Sequence, residues 1–213
     1  MSIGLHLAAV SHPRIHSVTP DPDTGKMRVS DHDDMCCQMD IVYIEGSIFF
    51  GSAESVLDDL QRRLRNHPNM ANLLIRMHKV NTMDSSGVDI LEVLLEEIKQ
   101  RGGGLFLAGV NYRVFEVFKN SGLLKDVDAT HIRTSTGAAI RKAMRDYFCP
   151  HICAACPVFV FQECAELKRG NWEIFGQGVQ PPRCSPDKAN QGDRLNADAS
   201  EADAQSKEGD RSA

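Results

Sequence analysis

The sequence predicts a small α/β fold, in which a sheet of about four largely parallel strands carries helices packed against it. Two observations lead to this prediction. Apolar runs of strand length alternate with amphipathic helical stretches four times over about 110 residues. The hydrophobic share of 42% and the charged share of 25% are those of an ordinary globular protein.

Two strand–helix units come first. The first strand has its apolar residues at Ile41, Tyr43 and Ile44 and ends at Gly46. Residues 52–55 then begin a helix, and residues 73–80 form the second strand. The apolar residues of the two following helices have the spacing of a single helix face: Val56, Leu57, Leu60 and Leu64 in the first, and Val88, Leu91, Leu94, Leu95 and Ile98 in the second.

Two further units complete the predicted sheet. Glycines at 102–104 end the second helix, and residues 105–110 are continuously apolar, which is typical of a strand covered on both faces. A short helix around Val114 ends near Gly122, and residues 131–133 form a weak strand. Residues 136–148 form a closing helix.

Composition divides the chain into four regions. Residues 1–38 contain Pro13, Pro20, Pro22, Gly25 and an acidic patch, so we expect a loose lead-in or linker. Residues 39–148 form the folded domain. Residues 149–184 are a cysteine-rich extension, and residues 185–213 are a polar tail without apolar periodicity, which predicts disorder.

Several function classes are excluded by the bulk properties and by missing motifs. A net charge of −5 argues against a nucleic-acid partner, and no run of about 20 apolar residues predicts a membrane span. Residues 1–10 lack the features of a signal peptide, and seven cysteines without a secretion signal indicate the cytoplasm. The chain has neither a phosphate-binding loop nor a nucleophile elbow, so we do not expect an enzyme.

The turn at residues 84–87 is the most informative motif. Asp84, Ser85, Ser86 and Gly87 connect a predicted buried strand to a predicted helix. Such side chains at a helix N-terminus cap free backbone N–H groups, a contribution of about 1 kcal/mol. The same position also suits a phosphate group, because the helix dipole favours negative charge there.

The order of motifs around this turn resembles the STAS domain. The resemblance covers about residues 39–147 and includes the turn, the following helix, the glycine turn, the apolar strand, Asn111 and the short helix that ends near Gly122. That family includes anti-sigma-factor antagonists and the cytoplasmic C-terminal domains of SulP-type anion transporters. The resemblance implies a non-enzymatic regulatory module that works through protein contacts.

In the antagonist branch, a partner kinase phosphorylates the serine that directly follows the aspartate. Carried over to this sequence, the acceptor is Ser85, with Ser86 as the second choice, and a Ser/Thr kinase is the implied partner. The helix dipole favours the phosphate, whereas Asp84 opposes it by like-charge repulsion. The same hydroxyl caps the helix in members that are not phosphorylated.

The loop after the first strand is similar to the transporter-linked branch. Gly46 is followed by Phe49-Phe50 and by a Gly-x-Ala pattern at 51–53. These phenylalanines either tuck onto the end of the sheet or form an apolar surface for another domain. The resemblance makes Phe49 and Phe50 partner-binding candidates, together with the turn residues Asp84 and Gly87. The partner is a transporter membrane domain or a regulatory protein, at the cytoplasmic face of the inner membrane.

The cysteine spacing C-x3-C-x2-C-x7-C offers a metal site. Four thiolates bind zinc tetrahedrally, and three thiolates at this spacing hold an iron–sulfur cluster. The candidate ligands are Cys149, Cys153, Cys156 and Cys164. The favoured alternative is an apolar helix with free, part-buried thiols and no cofactor. The neighbouring pair Cys36-Cys37 receives no role.

Three functional hypotheses follow. The first is a regulatory domain associated with or derived from a SulP-type sulfate or anion transporter. The second is a free-standing anti-sigma-factor antagonist that is switched by phosphorylation at Ser85. The third is a metal- or redox-sensing regulator that uses the cysteine cluster.

Overall fold

The computed structural model describes residues 13–21, 24–30, 35–67 and 70–182. The predicted tail at 185–213 lies outside these ranges, as do Cys184 and the acidic residues at 31–34. Within them, no helix combines the length and the apolar character that crossing a membrane requires.

Among the described residues, the sheet has six strands in the order β2-β1-β3-β4-β5-β6. Strands β3 to β6 are parallel neighbours, whereas β1 pairs antiparallel with both β3 and β2. The prediction of about four strands is therefore wrong in number, although the α/β class is confirmed. The strands are β1 (Arg14–Pro20), β2 (Met27–Val29), β3 (Met39–Ile48), β4 (Asn72–Met83), β5 (Leu105–Ala108) and β6 (Ile132–Arg133).

Both missing strands lie in the segment predicted as a loose lead-in. Ile15 and Val18 are the apolar residues of β1, so the strand has no conspicuous apolar run of its own. The strand is held in place by antiparallel pairing with β3. Ser17 adds two side-chain hydrogen bonds, because its hydroxyl donates to Asp40 at 3.2 Å and accepts from Arg63 at 2.8 Å. Pro20 ends the strand near the edge of the sheet, where a missing N–H is tolerated.

Helices connect the parallel strands as predicted, with shifts of a few residues at their ends. The first helix begins at Phe50 instead of Ser52, and β5 ends at Ala108 instead of Val110. Two single turns of 3₁₀ helix occur at Ala129–His131 and Glu173–Phe175. The helices are α1 (Phe50–Asn66), α2 (Ser85–Gln100), α3 (Tyr112–Ser121), α4 (Leu123–Asp126), α5 (Thr136–Tyr147), α6 (Pro150–Ala155) and α7 (Cys164–Lys168).

The central strands are buried on both faces, as the apolar run of β5 predicts. Leu105 and Leu107 contribute to one core with α1, α2 and α3. Phe106 and Ala108 alternate with them and contribute to a second core, on the side of α5. This period of two is the geometry of a pleated strand with a covered sheet on either side.

The cysteine-rich extension packs against the second core. Val160, Phe161, Leu167 and Trp172 are buried there with residues of α5. Gln38, just before β3, adds a polar connection, because its side chain bonds both the backbone N–H and the carbonyl of Cys149. Residues 149–175 therefore cover one face of the sheet.

Candidate functional site

Asp84 holds two helix N-termini together. It is the N-cap of α2, and its Oδ1 accepts the Gly87 backbone N–H at 3.2 Å. Its Oδ2 accepts the N–H of Phe50, the first residue of α1, at 3.0 Å. The carboxylate therefore caps its own helix and also fixes the start of the preceding one, a role beyond the simple cap that the sequence predicts.

The two serines of the turn differ in accessibility. Ser85 is exposed at the first position of α2, whereas Ser86 is half-buried. Both lie where the helix dipole favours a negative group. Ser85 is thus the hydroxyl that an approaching enzyme reaches more readily.

Gly87 lies beneath the turn and is buried. A Cβ built on it stands 2.4 Å from Cγ of Met83 and 3.2 Å from Cγ2 of Ile48, closer than side chains tolerate. The glycine allows α2 to approach the ends of β3 and β4. Its contact with a partner stays a prediction, because the structure gives it a packing role instead of a place on the surface.

Phe49 and Phe50 have different environments. Phe49 is half-buried, and its backbone N–H donates to Ser52 Oγ at 3.1 Å, which fixes the loop before α1. Phe50 projects from the first turn of α1 with 85% of its surface exposed. Each of the two alternatives given for these phenylalanines thus applies to one of them. The Phe49 ring is partly buried, and the Phe50 ring is exposed to solvent.

A third turn contributes Asn111, which belongs to the motif order of the sequence but is not among the predicted site residues. Asn111 follows β5, caps α3 by accepting the Val114 N–H at 3.0 Å, and donates from Nδ2 to the Val80 carbonyl of β4 at 2.6 Å. Tyr112, the next residue, is 76% exposed. The available signal was the polar residue at the end of an apolar strand, which is the same pattern as Asp84.

These three turns form one surface. They follow β3, β4 and β5, which are adjacent and parallel, so their carboxyl ends meet at the same side of the sheet. We name this surface, residues 49–50, 84–87 and 111–112, the carboxyl edge. It presents an aromatic ring on either side of an exposed serine at a helix N-terminus, which is suited to docking and has no arrangement of an acid, base and nucleophile.

The predicted metal ligands are only partly brought together. Cys153, Cys156 and Cys164 line a cavity of about 20 Å³, and Cys37 joins them from the segment before β3. Cys149 is buried beside Gln38, does not line this cavity and is disulfide-bonded, so its prediction as a thiolate ligand is wrong. Within the described residues no group of three or more His, Cys, Asp or Glu side chains is arranged to hold a metal ion. Zinc or iron–sulfur binding stays a prediction.

The thiols of this cavity are held in their protonated form. Burial raises the pKa of Cys153 well above its ordinary value, and the neighbouring thiols of Cys37, Cys164 and Cys156 act in the same direction. Burial also raises the pKa of Cys164. At neutral pH these cysteines are thiols, which are weaker nucleophiles than thiolates.

Comparison with known proteins gives one family and several relatives. A sequence model of the STAS domain matches residues 31–139, about half of the chain. YvdB of Bacillus subtilis (strain 168), provisionally named a sulfate transporter, is 31% identical over 88 residues, which are 41% of this chain and 16% of YvdB. The chain therefore spans about a sixth of the length of this curated relative.

Two solved structures share the fold. The mouse solute carrier 26 family member A9 anion transporter, in its inward-facing state, aligns with a TM-score of 0.55 at 17% identity. The alignment covers 67% of this chain and 24% of the transporter. A structure described as that of SLC26A9 aligns with a TM-score of 0.54 at 16% identity, covering 66% of this chain and 26% of the other. At these identities the likeness concerns the fold alone.

Proposed function

The chain belongs to the STAS domain family, and from that premise we propose that it is a non-enzymatic regulatory module that docks through its carboxyl edge. The proposed partner is the membrane domain of a SulP-type sulfate or anion transporter. This partner places the module at the cytoplasmic face of the inner membrane. The similarity to YvdB, a protein provisionally named a sulfate transporter, supports this choice of partner over a sigma-factor regulator.

The exposed aromatic side chains of the carboxyl edge are the observation that carries the proposal. Phe50 and Tyr112 are 85% and 76% exposed, although each follows the end of a buried strand. Large rings in contact with water favour association, since burying one such side chain contributes about 1.5–3 kcal/mol. Asp84 and Asn111 hold the backbone beneath both rings, so the surface is formed before a partner arrives.

The test is an affinity measurement. The chain is titrated against a SulP-type membrane domain in lipid nanodiscs, and the variants Phe50→Ser and Tyr112→Ser are compared with the unmodified chain. We expect each variant to weaken binding about tenfold or more, because each removes a buried ring from the interface.

Phe159→Ser is the matched control. Phe159 is also an exposed phenylalanine, at 53%, but it lies on the extension and not on the carboxyl edge. Its loss should leave the affinity unchanged. Equal losses in all three variants, or no loss in either edge variant, would contradict the proposed docking surface.

A second function is supported by the position of Ser85. Its exposed hydroxyl at the first position of α2 places a transferred phosphate at the positive end of a 16-residue helix. The phosphate would lie beside the Asp84 carboxylate and repel it, which would weaken the hydrogen bond from the Phe50 N–H to that carboxylate. Phosphorylation at Ser85 would therefore change the charge and the order of the docking surface together, as in a switched anti-sigma-factor antagonist.

Phosphate mapping tests this switch. The chain is incubated with a candidate Ser/Thr kinase, and the modified residue is identified by mass spectrometry. We expect the label on Ser85, its loss in Ser85→Ala, and its retention in Ser86→Ala. Label that persists in Ser85→Ala, or that never appears, rules out the switch and leaves the docking proposal intact.

A further inference from the structure

Two cysteines far apart in the sequence meet in the second core. Cys37 lies just before β3, and Cys156 directly follows α6. Their sulfurs are 3.6 Å apart, with the Cys37 thiol donating to Cys156 Sγ, although 119 positions separate them in the chain. Both are free and half-buried.

The surroundings distinguish this pair from the other thiols of the cavity. Cys153 Sγ accepts a hydrogen bond from Gln38 Nε2 at 3.1 Å, and Cys164 Sγ accepts the Phe161 backbone N–H at 3.4 Å. Cys37 bonds Cys156, and Cys156 also donates to the Val158 carbonyl at 3.3 Å, so this is the pair whose sulfurs contact each other. The cavity of about 20 Å³ holds roughly one water molecule, so little space separates its thiols.

We propose that Cys37 and Cys156 are an oxidisable pair that forms a disulfide when the protein meets a hydroperoxide. This inference does not rest on the proposed docking function. A disulfide requires a sulfur–sulfur distance of about 2.05 Å, so the two sulfurs have to approach by about 1.5 Å. Because the sulfurs of Cys37 and Cys156 are already in contact, we expect a disulfide between these two cysteines and not with the other cysteines of the cavity.

The chemistry balances with hydrogen peroxide as the oxidant. Because burial keeps both thiols protonated at neutral pH, the attacking cysteine first loses its proton to water, which makes the reaction slow. Its sulfur then attacks the O–O bond, which forms a sulfenic acid and releases hydroxide, and the hydroxide takes up the proton to give one water. The second sulfur, losing its proton, attacks the sulfenic sulfur, so the S–S bond forms and a second water leaves. Two thiols are oxidised by two electrons in total, and one peroxide is reduced.

The disulfide would fix the extension to the sheet beside a large open groove. Residues 159–163 form one wall of this groove of about 1010 Å³, and β1, β2 and the start of α5 form the other walls. Cys156 lies three residues before that wall and Cys37 two residues before β3. Oxidation would therefore restrict the movement of the wall relative to the sheet.

The experiment is disulfide mapping on the full chain. The reduced protein is treated with hydrogen peroxide, free thiols are blocked in acid, and the unreduced digest is analysed by mass spectrometry. Apart from the disulfide of Cys149, we expect the Cys37–Cys156 peptide as the main cross-link, and a melting temperature that rises by about 10 °C on oxidation and falls back with a dithiol reductant. The mapping needs no variant, so a failure to fold cannot mask the answer.

Variants add a matched comparison. Cys37→Ser should abolish the cross-link and the rise in melting temperature. Cys164→Ser should keep both, because Cys164 lines the same cavity but bonds the Phe161 N–H and not Cys37. Three results would overturn the proposal: a main cross-link between other cysteines, sulfinic acids without a cross-link, or one zinc or iron per purified chain that is lost in Cys37→Ser and protects the pair from peroxide. The third result would turn the cavity into a metal site with Cys37 as an unpredicted ligand.

Discussion

The carboxyl edge and the thiol cavity are built in opposite ways. At the carboxyl edge, each turn is contiguous in sequence, and the turns after β4 and β5 each carry a side chain that bonds a backbone N–H three positions later, as Asp84 does with Gly87 and Asn111 with Val114. The thiol cavity, formed by Cys37, Cys153, Cys156 and Cys164, unites residues from opposite parts of the chain. The caps of the carboxyl edge therefore form between residues close in sequence. The thiol cavity forms only when distant parts of the chain have folded together.

The two regions should respond differently to single substitutions. A change at the cavity removes contacts that join the extension to the sheet, whereas a change at the carboxyl edge removes a local cap. We therefore expect the largest losses of stability near the cavity, and progressively smaller ones along the edge.

Gln38→Leu should have the largest effect. The substitution removes the acceptor of the buried Cys149 N–H at 2.6 Å, and also the amide that donates to the Cys149 carbonyl at 3.2 Å and to Cys153 Sγ at 3.1 Å. The carbonyl keeps the Cys153 N–H as a donor. Since a buried polar group without a partner costs about 1–3 kcal/mol, we expect a loss of about 3 kcal/mol. Equilibrium unfolding in urea measures it. Gln162→Leu on the exposed surface is the control, and an equal effect of both would show that the extension is not held by Gln38.

Asp84→Ala should follow with a loss of about 2 kcal/mol. Two backbone N–H groups, of Gly87 and Phe50, lose the carboxylate as an acceptor at once, and a single cap contributes about 1 kcal/mol. Ser135→Ala is the comparison, because Ser135 caps only α5 through the Ala138 N–H. Equal losses in the two variants, measured by the same urea titration, would mean that the bond from Asp84 to α1 adds nothing.

Gly87→Ala should cost about 1 kcal/mol, whereas the same change in α5 should not. The added methyl at Gly87 meets Met83, and the resulting overpacking of about 1–3 kcal/mol exceeds the gain of about 1 kcal/mol from better helix propensity. At Gly137 a Cβ has no heavy atom within 4 Å, so Gly137→Ala should be neutral or stabilising. Thermal unfolding of both variants distinguishes close packing from propensity.

Ser85→Ala should have the smallest effect on folding. The hydroxyl is exposed, and Asp84, not Ser85, is the N-cap of α2, so we expect a change within about 0.5 kcal/mol. The Ser85→Ala substitution should change the phosphorylation of the chain and leave its stability nearly unchanged. A loss of stability comparable to that of Asp84→Ala would assign Ser85 to the architecture of the turn, which would weaken its candidacy as a switch.

Sequence reasoning succeeded where the signal is local. The alternation of apolar strands with amphipathic helices predicted β3 to β6 and the helices between them, and the Asp-Ser-Ser-Gly pattern predicted the cap at Asp84. It failed for β1, whose order depends on pairing with β3 and on the contact of Ser17 with Asp40. It also failed for Cys37, because nothing near that residue indicates a partner 119 positions away.

Hydrogen–deuterium exchange of the docked complex tests the central claim most directly. The chain is labelled alone and with the SulP-type membrane domain in nanodiscs, and protection is compared between the two regions. The docking account predicts new protection at residues 49–52, 84–88 and 111–115, with none at residues 153–164. Protection confined to the extension, with the carboxyl edge unchanged, would contradict it.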